Sequence, residues 1–149
     1  MNATEARNAL LEQHARIRRQ LELCTTLAHR HRSGGGGDAV DVELDRALAE
    51  LREEFSDHNQ AETAIIGELL RGPAAWGSLL VDRMLEEHVA EHAAFWELLS
   101  GTPGEIATRI DDLAEELDAH MAAEERTFLS PVTLRDDVIR VRTRENISE

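Results

Sequence analysis

Residues 44–69 read LDRALAELREEFSDHNQAETAIIGEL, and this stretch decides the fold. Leu44, Leu48, Leu51, Phe55, His58, Glu62, Ile65 and Leu69 follow one another in steps of three and four. That spacing lines one face of an α-helix. The face is apolar except at one place, where His58 and Glu62 stand in the stripe. A helix with a single apolar stripe buries it against other elements. The histidine and the glutamate therefore go inside with the stripe, and a buried polar pair needs a chemical reason.

Three further stretches carry the same pattern. The first helix gives Leu10, His14, Ile17 and Leu21. The third gives Val81, Leu85, His88, His92, Phe95 and Leu99. The fourth gives Ile106, Ile110, Leu113, Leu117, His120, Glu124 and Phe128. Each stripe is broken once, and only by His or Glu; the other charged residues lie off the stripes. Punctuation separates the four. The first runs from about Thr4 to His31 and stops at Ser33 and Gly34–Gly37, which do not propagate a helix. The second runs from about Val40 to Arg71, before Gly72-Pro73. The third runs from about Ala74 to Leu99, before Ser100-Gly101-Thr102-Pro103-Gly104. The fourth starts near Glu105 and ends at Ser130, since the residue before Pro131 is biased away from helix.

No stretch alternates with period two, so no sheet is expected. Short connections favour antiparallel neighbours. The predicted fold is all-α: an antiparallel up-down-up-down four-helix bundle over residues 1–131. A short C-terminal tail follows over 132–149, where Thr133 could cap a further short helix.

In such a bundle the breaks fall at one depth. Phe55, Leu117, Phe95 and Ile17 form an apolar layer on one side of them; Ile65, Phe128, Leu85 and Leu10 form one on the other. Five imidazoles and two carboxylates converge between these layers. His58/Glu62, His88/His92 and His120/Glu124 are each i, i+4 pairs, with Cβ atoms about 5–6 Å apart and able to reach one centre. His14 adds a single donor. No lysine exists in the chain and no arginine stands in a stripe, so nothing else inside neutralises the acids. Each unpaired buried charge costs several kcal/mol, against a total stability of about 5–15 kcal/mol. A metal removes that penalty and adds stability.

Seven donors exceed the roughly four that one zinc takes. Two metals with about six positions each offer twelve. Five histidines, two bridging carboxylates and a bridging oxide or hydroxide fill eleven. One position stays open, walled by Phe and Leu, which suits a diatomic or peroxide better than a bulky substrate.

The rest of the composition narrows the chemistry. The chain has 149 residues, the length of one domain, and a net charge of −14. That charge argues against nucleic-acid or anionic-membrane partners. All sixteen basic side chains are Arg, so Schiff-base and P-loop lysine chemistry are out. One cysteine, Cys24, forms no intrachain disulfide, and it reads as a small buried side chain. No leader pattern and no apolar run of about 18 residues is visible, so a cytoplasmic protein is expected. Met1 to Arg32 carries six Arg against three Glu, whereas Ser33 to Pro131 carries six Arg against 23 acids. A basic first helix is expected to dock on acidic neighbours. His29 and His31 are expected to favour the C-terminal dipole of the first helix, and Trp96 to pack beside Phe95.

The ordered set His14, His58-x-x-x-Glu62, His88-x-x-x-His92 and His120-x-x-x-Glu124 resembles the hemerythrin family, also called the HHE cation-binding domain. The resemblance covers all four helices. It implies a non-haem di-iron centre, two iron ions with an oxo or hydroxo bridge. His88, His92 and His120 would hold one iron, His14 and His58 the other, which has the vacancy; Glu62 and Glu124 would bridge. Oxygen-carrying members end the motif with His-x-x-x-x-Asp. The shorter spacing and the Glu here resemble bacterial hemerythrin-like proteins, for which peroxide or nitric-oxide chemistry has been proposed. Glu125 stands at the longer spacing and is the alternative bridge; Glu124 is favoured because it stays in the stripe. The absence of Tyr removes tyrosyl chemistry.

Three functions follow from such a centre. One is binding of dioxygen or a related small oxidant for storage, delivery or sensing. Another is an enzyme that detoxifies peroxide or nitric oxide, catalase- or peroxidase-like. The third is iron handling. The first two share all seven ligands, so the sequence leaves them, and the oligomeric state, open.

Overall fold

Helix ends are set by a few local devices, and the best defined of them starts the last helix. Glu105 N–H donates to Thr102 Oγ1 (3.2 Å), while Glu105 Oε2 accepts from Thr102 N–H (3.4 Å). This is a reciprocal cap, with Pro103 placed where its missing N–H costs nothing. The computed structural model describes residues 3–34, 37–69, 78–126 and 129, with side chains placed except at 3, 66–69, 78–85 and 87. The described residues form four helices: α1 (Ala3–Arg32), α2 (Gly37–Leu69), α3 (Ser78–Leu99) and α4 (Pro103–Arg126). Among the described residues there is no strand.

Two starts differ from the sequence expectation. α4 begins at Pro103 rather than Glu105 because of the Thr102–Glu105 cap. α2 begins at Gly37 rather than Val40: Gly37 takes φ +54°, and Asp38 in the first turn favours the positive end of the helix dipole. α1 closes as expected, with Gly34 at φ +73° and Ser33 N–H donating to His29 O. The expected end of the second helix at Arg71, the expected start of the third at Ala74, the end at Ser130 and the tail 132–149 lie outside the described residues. So do Phe128 and the side chains of Leu69, Val81 and Leu85.

Each sequential pair of helices is antiparallel. From α1 to α2, His31 meets Asp41, Gln20 meets Glu50 and Gln13 meets His58. As one number falls the other rises. The same holds for α1 with α4, through His29–Asp111, Arg18–Asp118 and His14–Glu125. From α2 to α3, Arg52 Nη1 donates to Leu99 O and the Phe55 ring meets Phe95. The up-down-up-down bundle is therefore the observed fold.

The predicted stripes form the core. Ile17, Leu21, Leu44, Leu48, Leu51, Phe55, Leu99, Ile106, Ile110, Leu113 and Leu117 are buried in one cluster, joined by Cys24 and Met121. Of the apolar layer above the polar slab, Ile17, Phe55 and Leu117 are buried and Phe95 is half-buried. Of the layer below, Leu10 is buried and Ile65 half-buried. The basic first helix does dock on acidic neighbours, through Arg18 with Asp118 and Arg32 with Asp111. His29 and His31 stand in the last turn of α1, as expected, and in addition pair across to Asp111 and Asp41. Trp96 lies off the stripe, next to Phe95 in sequence. At 44% exposure it stands outside the core, because the residue after a stripe position points about 100° away.

Candidate metal centre

Seven side chains interrupt the four stripes, and the bundle carries all of them to one place. α1 supplies His14, α2 His58 and Glu62, α3 His88 and His92, α4 His120 and Glu124. Six of these are no more than 5% exposed. The His120 side chain, 11% exposed, lies nearer the rim. The i, i+4 spacing on α2, α3 and α4 aims both members of each pair the same way. On α3 the two rings lie edge to face with centroids 3.8 Å apart.

The donor atoms sort into two groups, each drawn within 4.8 Å: His88, His92, His120 and Glu124 in one, and His14, His58, Glu62 and Glu124 in the other. Glu124 belongs to both. Its Oε1 lies 2.9 Å from His120 Nε2 and 3.7 Å from His14 Nε2, and its Oε2 lies 3.4 Å from His88 Nε2. Glu62 also straddles them. Its Oε2 lies 2.5 Å from His58 Nε2 and 3.9 Å from His14 Nε2, while its Oε1 touches His88 Nε2.

The outward nitrogens explain what the inward ones can do. His14 donates Nδ1–H to Glu125 Oε2 (2.8 Å), His58 donates Nδ1–H to Gln13 Oε1 (2.9 Å), and His120 donates Nδ1–H to Glu91 Oε2 (2.8 Å). A neutral imidazole has one N–H and one lone pair. With Nδ1–H committed outward, each Nε2 presents its lone pair to the slab. His14 Nε2 and His58 Nε2 then face each other at 3.1 Å, and His120 Nε2 faces His92 Nε2 at 3.3 Å. Lone pairs turned on one another and on carboxylate oxygens repel, and a cation among them converts the repulsion into bonding. Histidine with its far N–H held by a carboxylate or carbonyl is also the usual arrangement around a metal. Imidazole and carboxylate without thiolate suit iron and its neighbours in the transition series.

The electrostatics agree. Burial is the main cause that pushes His14 and His120 below the usual imidazole range and takes His92 down to about 3, with neighbouring histidines adding to it. Neutral rings are the metal-binding form. Burial raises the Glu62 carboxyl, but its contacts with His58, His88 and Glu124 outweigh it and leave the group well below its ordinary value. Burial, then the hydrogen bond and charge of Glu62, push Glu124 up. Without a cation the two neighbouring carboxylates share the burden unequally, one ionised and one holding a proton.

Glu125 is turned away from the slab. It is half-buried behind His14, where Arg18 Nη1 also reaches its Oε2 (2.9 Å). Cys24 is fully buried, and burial pushes its thiol up to about 12, so it supplies no thiolate. A cleft of about 470 Å³ between α2 and α3, lined by Asn59, Gln60, Thr63, Ala64 and Val89, reaches His92. Sequence reasoning missed Gln13 and Glu91, and named Glu125 only as an alternative bridge, not as the partner of His14. All three stand next to a stripe donor in sequence, and that adjacency was the available signal.

The hemerythrin HHE cation-binding domain model matches residues 6–130, which spans all four helices and every donor named above. No curated protein and no solved structure matches the chain. No helix among the described residues is long and apolar enough to cross a membrane. With most of its length matched, the chain belongs to the hemerythrin HHE cation-binding family.

Proposed function

We propose that this member of the hemerythrin HHE family is a non-haem di-iron protein that binds dioxygen or a related small oxidant, in the manner of a carrier, store or sensor. The observation that carries the reading is the pairing of inward lone pairs with two carboxylates, Glu124 in both donor groups and Glu62 in the His14/His58 group with its other oxygen on His88. One cation would satisfy one group; the shared Glu62 and Glu124 supply the bridges that two neighbouring cations need. Bound iron would supply reversible redox chemistry and a coordination position for a small ligand.

The chain's own residues set the conditions. His88, His92 and His120 would hold one iron, and His14 and His58 the other, each ring fixed by packing or by its outward hydrogen bond. Three protein nitrogens stand on one side and two on the other, so the His14/His58 side has the spare position. Glu124, rather than Glu125, would be the second bridging carboxylate, because Glu125 is occupied behind His14. Phe55 caps the slab with its ring 5.5 Å from His92, and Phe95 stands 5.3 Å from His120. These rings and Leu117 keep bulk water from the core side, which favours a small apolar diatomic over a polar substrate. The Glu-terminated motif is of the bacterial hemerythrin-like type, and a cytoplasmic setting fits it.

Metal analysis of the purified chain tests the reading, together with optical spectra of the reduced protein before and after air. Two iron ions per chain and an oxygen adduct that reverses under argon are expected, with added peroxide left intact. About one metal per chain would overturn the di-iron centre. Rapid oxygen release from peroxide would replace the carrier reading with an enzyme.

A further inference from the structure

The two donor groups do not share their outer supports. Around His14 the support is a chain of three side chains. Asp118 Oδ1 accepts from Arg18 Nε (2.8 Å), Arg18 Nη1 donates to Glu125 Oε2 (2.9 Å), and the same oxygen accepts His14 Nδ1–H (2.8 Å). Asp118 and Glu125 lie two turns apart on α4, so Arg18 forks between them from α1 and fixes where Glu125 stands. Around His120 the support is one carboxylate, Glu91, from the residue before His92; its side chain is 56% exposed and its Oε2 lies 2.8 Å from His120 Nδ1. His58 is held by the neutral amide of Gln13. One donor group thus rests on a clamped carboxylate, the other on a carboxylate open to water.

We infer that Glu125, clamped by Arg18, and Glu91 are positioning residues that set the metal affinity of the two groups separately, Glu125 for the His14/His58 group and Glu91 for the His88/His92/His120 group. The inference rests on the two-metal reading above. A carboxylate that accepts Nδ1–H holds the ring in one tautomer and orientation and makes Nε2 a stronger donor. Losing such a partner weakens metal binding by about 10–100-fold. Water already competes for the exposed Glu91 contact, so its loss falls near the lower end. Glu125 is held against both water and rotation by Arg18, so its loss falls near the upper end.

The test is anaerobic titration of the metal-free full-length chain with Co²⁺ and with Fe²⁺, followed by calorimetry and visible absorption. Wild type, Glu125→Gln, Glu91→Gln and Arg18→Met are compared. Gln keeps the shape of Glu and removes its charge, and a thermal melt of each metal-free variant reports whether the fold is kept. Glu125→Gln is expected to weaken one of the two equivalents by up to about 100-fold and leave the other. Glu91→Gln is expected to weaken the other equivalent by about tenfold, and the two variants to remove different parts of the Co²⁺ spectrum. Arg18→Met should follow Glu125→Gln in kind with a smaller loss. If the wild type takes up two ions and both Gln variants match it, or both weaken the same equivalent, this inference fails and the two-metal reading stands. If the wild type takes up only one ion, both fail together.

Discussion

His14 Nε2 and His58 Nε2 stand 3.1 Å apart while each ring gives its only neutral-state N–H to an acceptor on its far side. Two helices have brought two lone pairs together inside a protein, 44 residues apart in sequence, with both rings almost fully buried. The arrangement is costly for the bare chain and favourable with a cation between the nitrogens.

Removing single donors should therefore divide them by the groups they face. His14→Ala is expected to retain about one metal ion per chain, because it serves one group. Glu62→Ala is expected to fall below one, because its oxygens face both. His88→Ala should also lose metal. Elemental analysis of each purified variant checks this, and full metal content in Glu62→Ala would remove it from the donor set.

Stripping the metal should cost stability through mass action. An ion present at about 100 times its dissociation constant adds about 2.7 kcal/mol per site. At this chain length each kcal/mol moves the melting temperature by about 2–4 °C. Two sites give a fall of roughly 10–20 °C on chelation, reversed by adding iron back. A melt unchanged by chelator would count against a bound metal in the folded chain.

Phe55 joins the apolar core to the polar slab, with its ring against both His92 and Phe95 and 1% exposure. Phe55→Ala should cost about 3–5 kcal/mol by cavity formation, read by urea denaturation of the metal-free chain. Phe55→Leu keeps most of the volume and should cost far less. The same Ala variant should admit water beside His92 and alter the optical spectrum of the loaded protein.

Acid should destabilise the metal-free chain over a defined window. Burial, followed by the charge of His88, holds His92 at about 3 in the folded state, against an ordinary 6.5. The unfolded chain therefore takes up the proton first. Stability is fully present above about pH 6.5 and is lost progressively as pH falls toward 3, by a few kcal/mol. His14 and His120, also lowered, act in the same direction. The raised Glu124 carboxyl works the other way, so the histidine share is read by comparison: from pH 7.5 to 4 the wild-type denaturant midpoint should fall relative to that of His92→Gln below 6.5, with the gap level above it.

Much of this molecule was legible from sequence because its signals are local. Steps of three and four among Leu, Ile and Phe determine four helices and which face of each goes inside. Gly34 marks where α1 stops, and the stretch 100–104 marks where α3 gives way to α4. His14, His58, Glu62, His88, His92, His120 and Glu124 could be named because each breaks an otherwise apolar stripe, and a stripe fixes the direction of a side chain to within one helical face.

What only the tertiary structure decided depends on how helices rotate and approach one another, which no single helix encodes. Periodicity placed Glu124 and Glu125 about 100° apart; the lateral fit of α1 against α4 put Glu124 between the donor groups and Glu125 behind His14, under Arg18. The outer partners Gln13 and Glu91 were invisible for the same reason: each lies one residue from a donor, but the ring it holds belongs to another helix. Sequence determines which groups are buried, because burial follows from pattern; packing determines which nitrogen faces which oxygen, because that is a distance between helices.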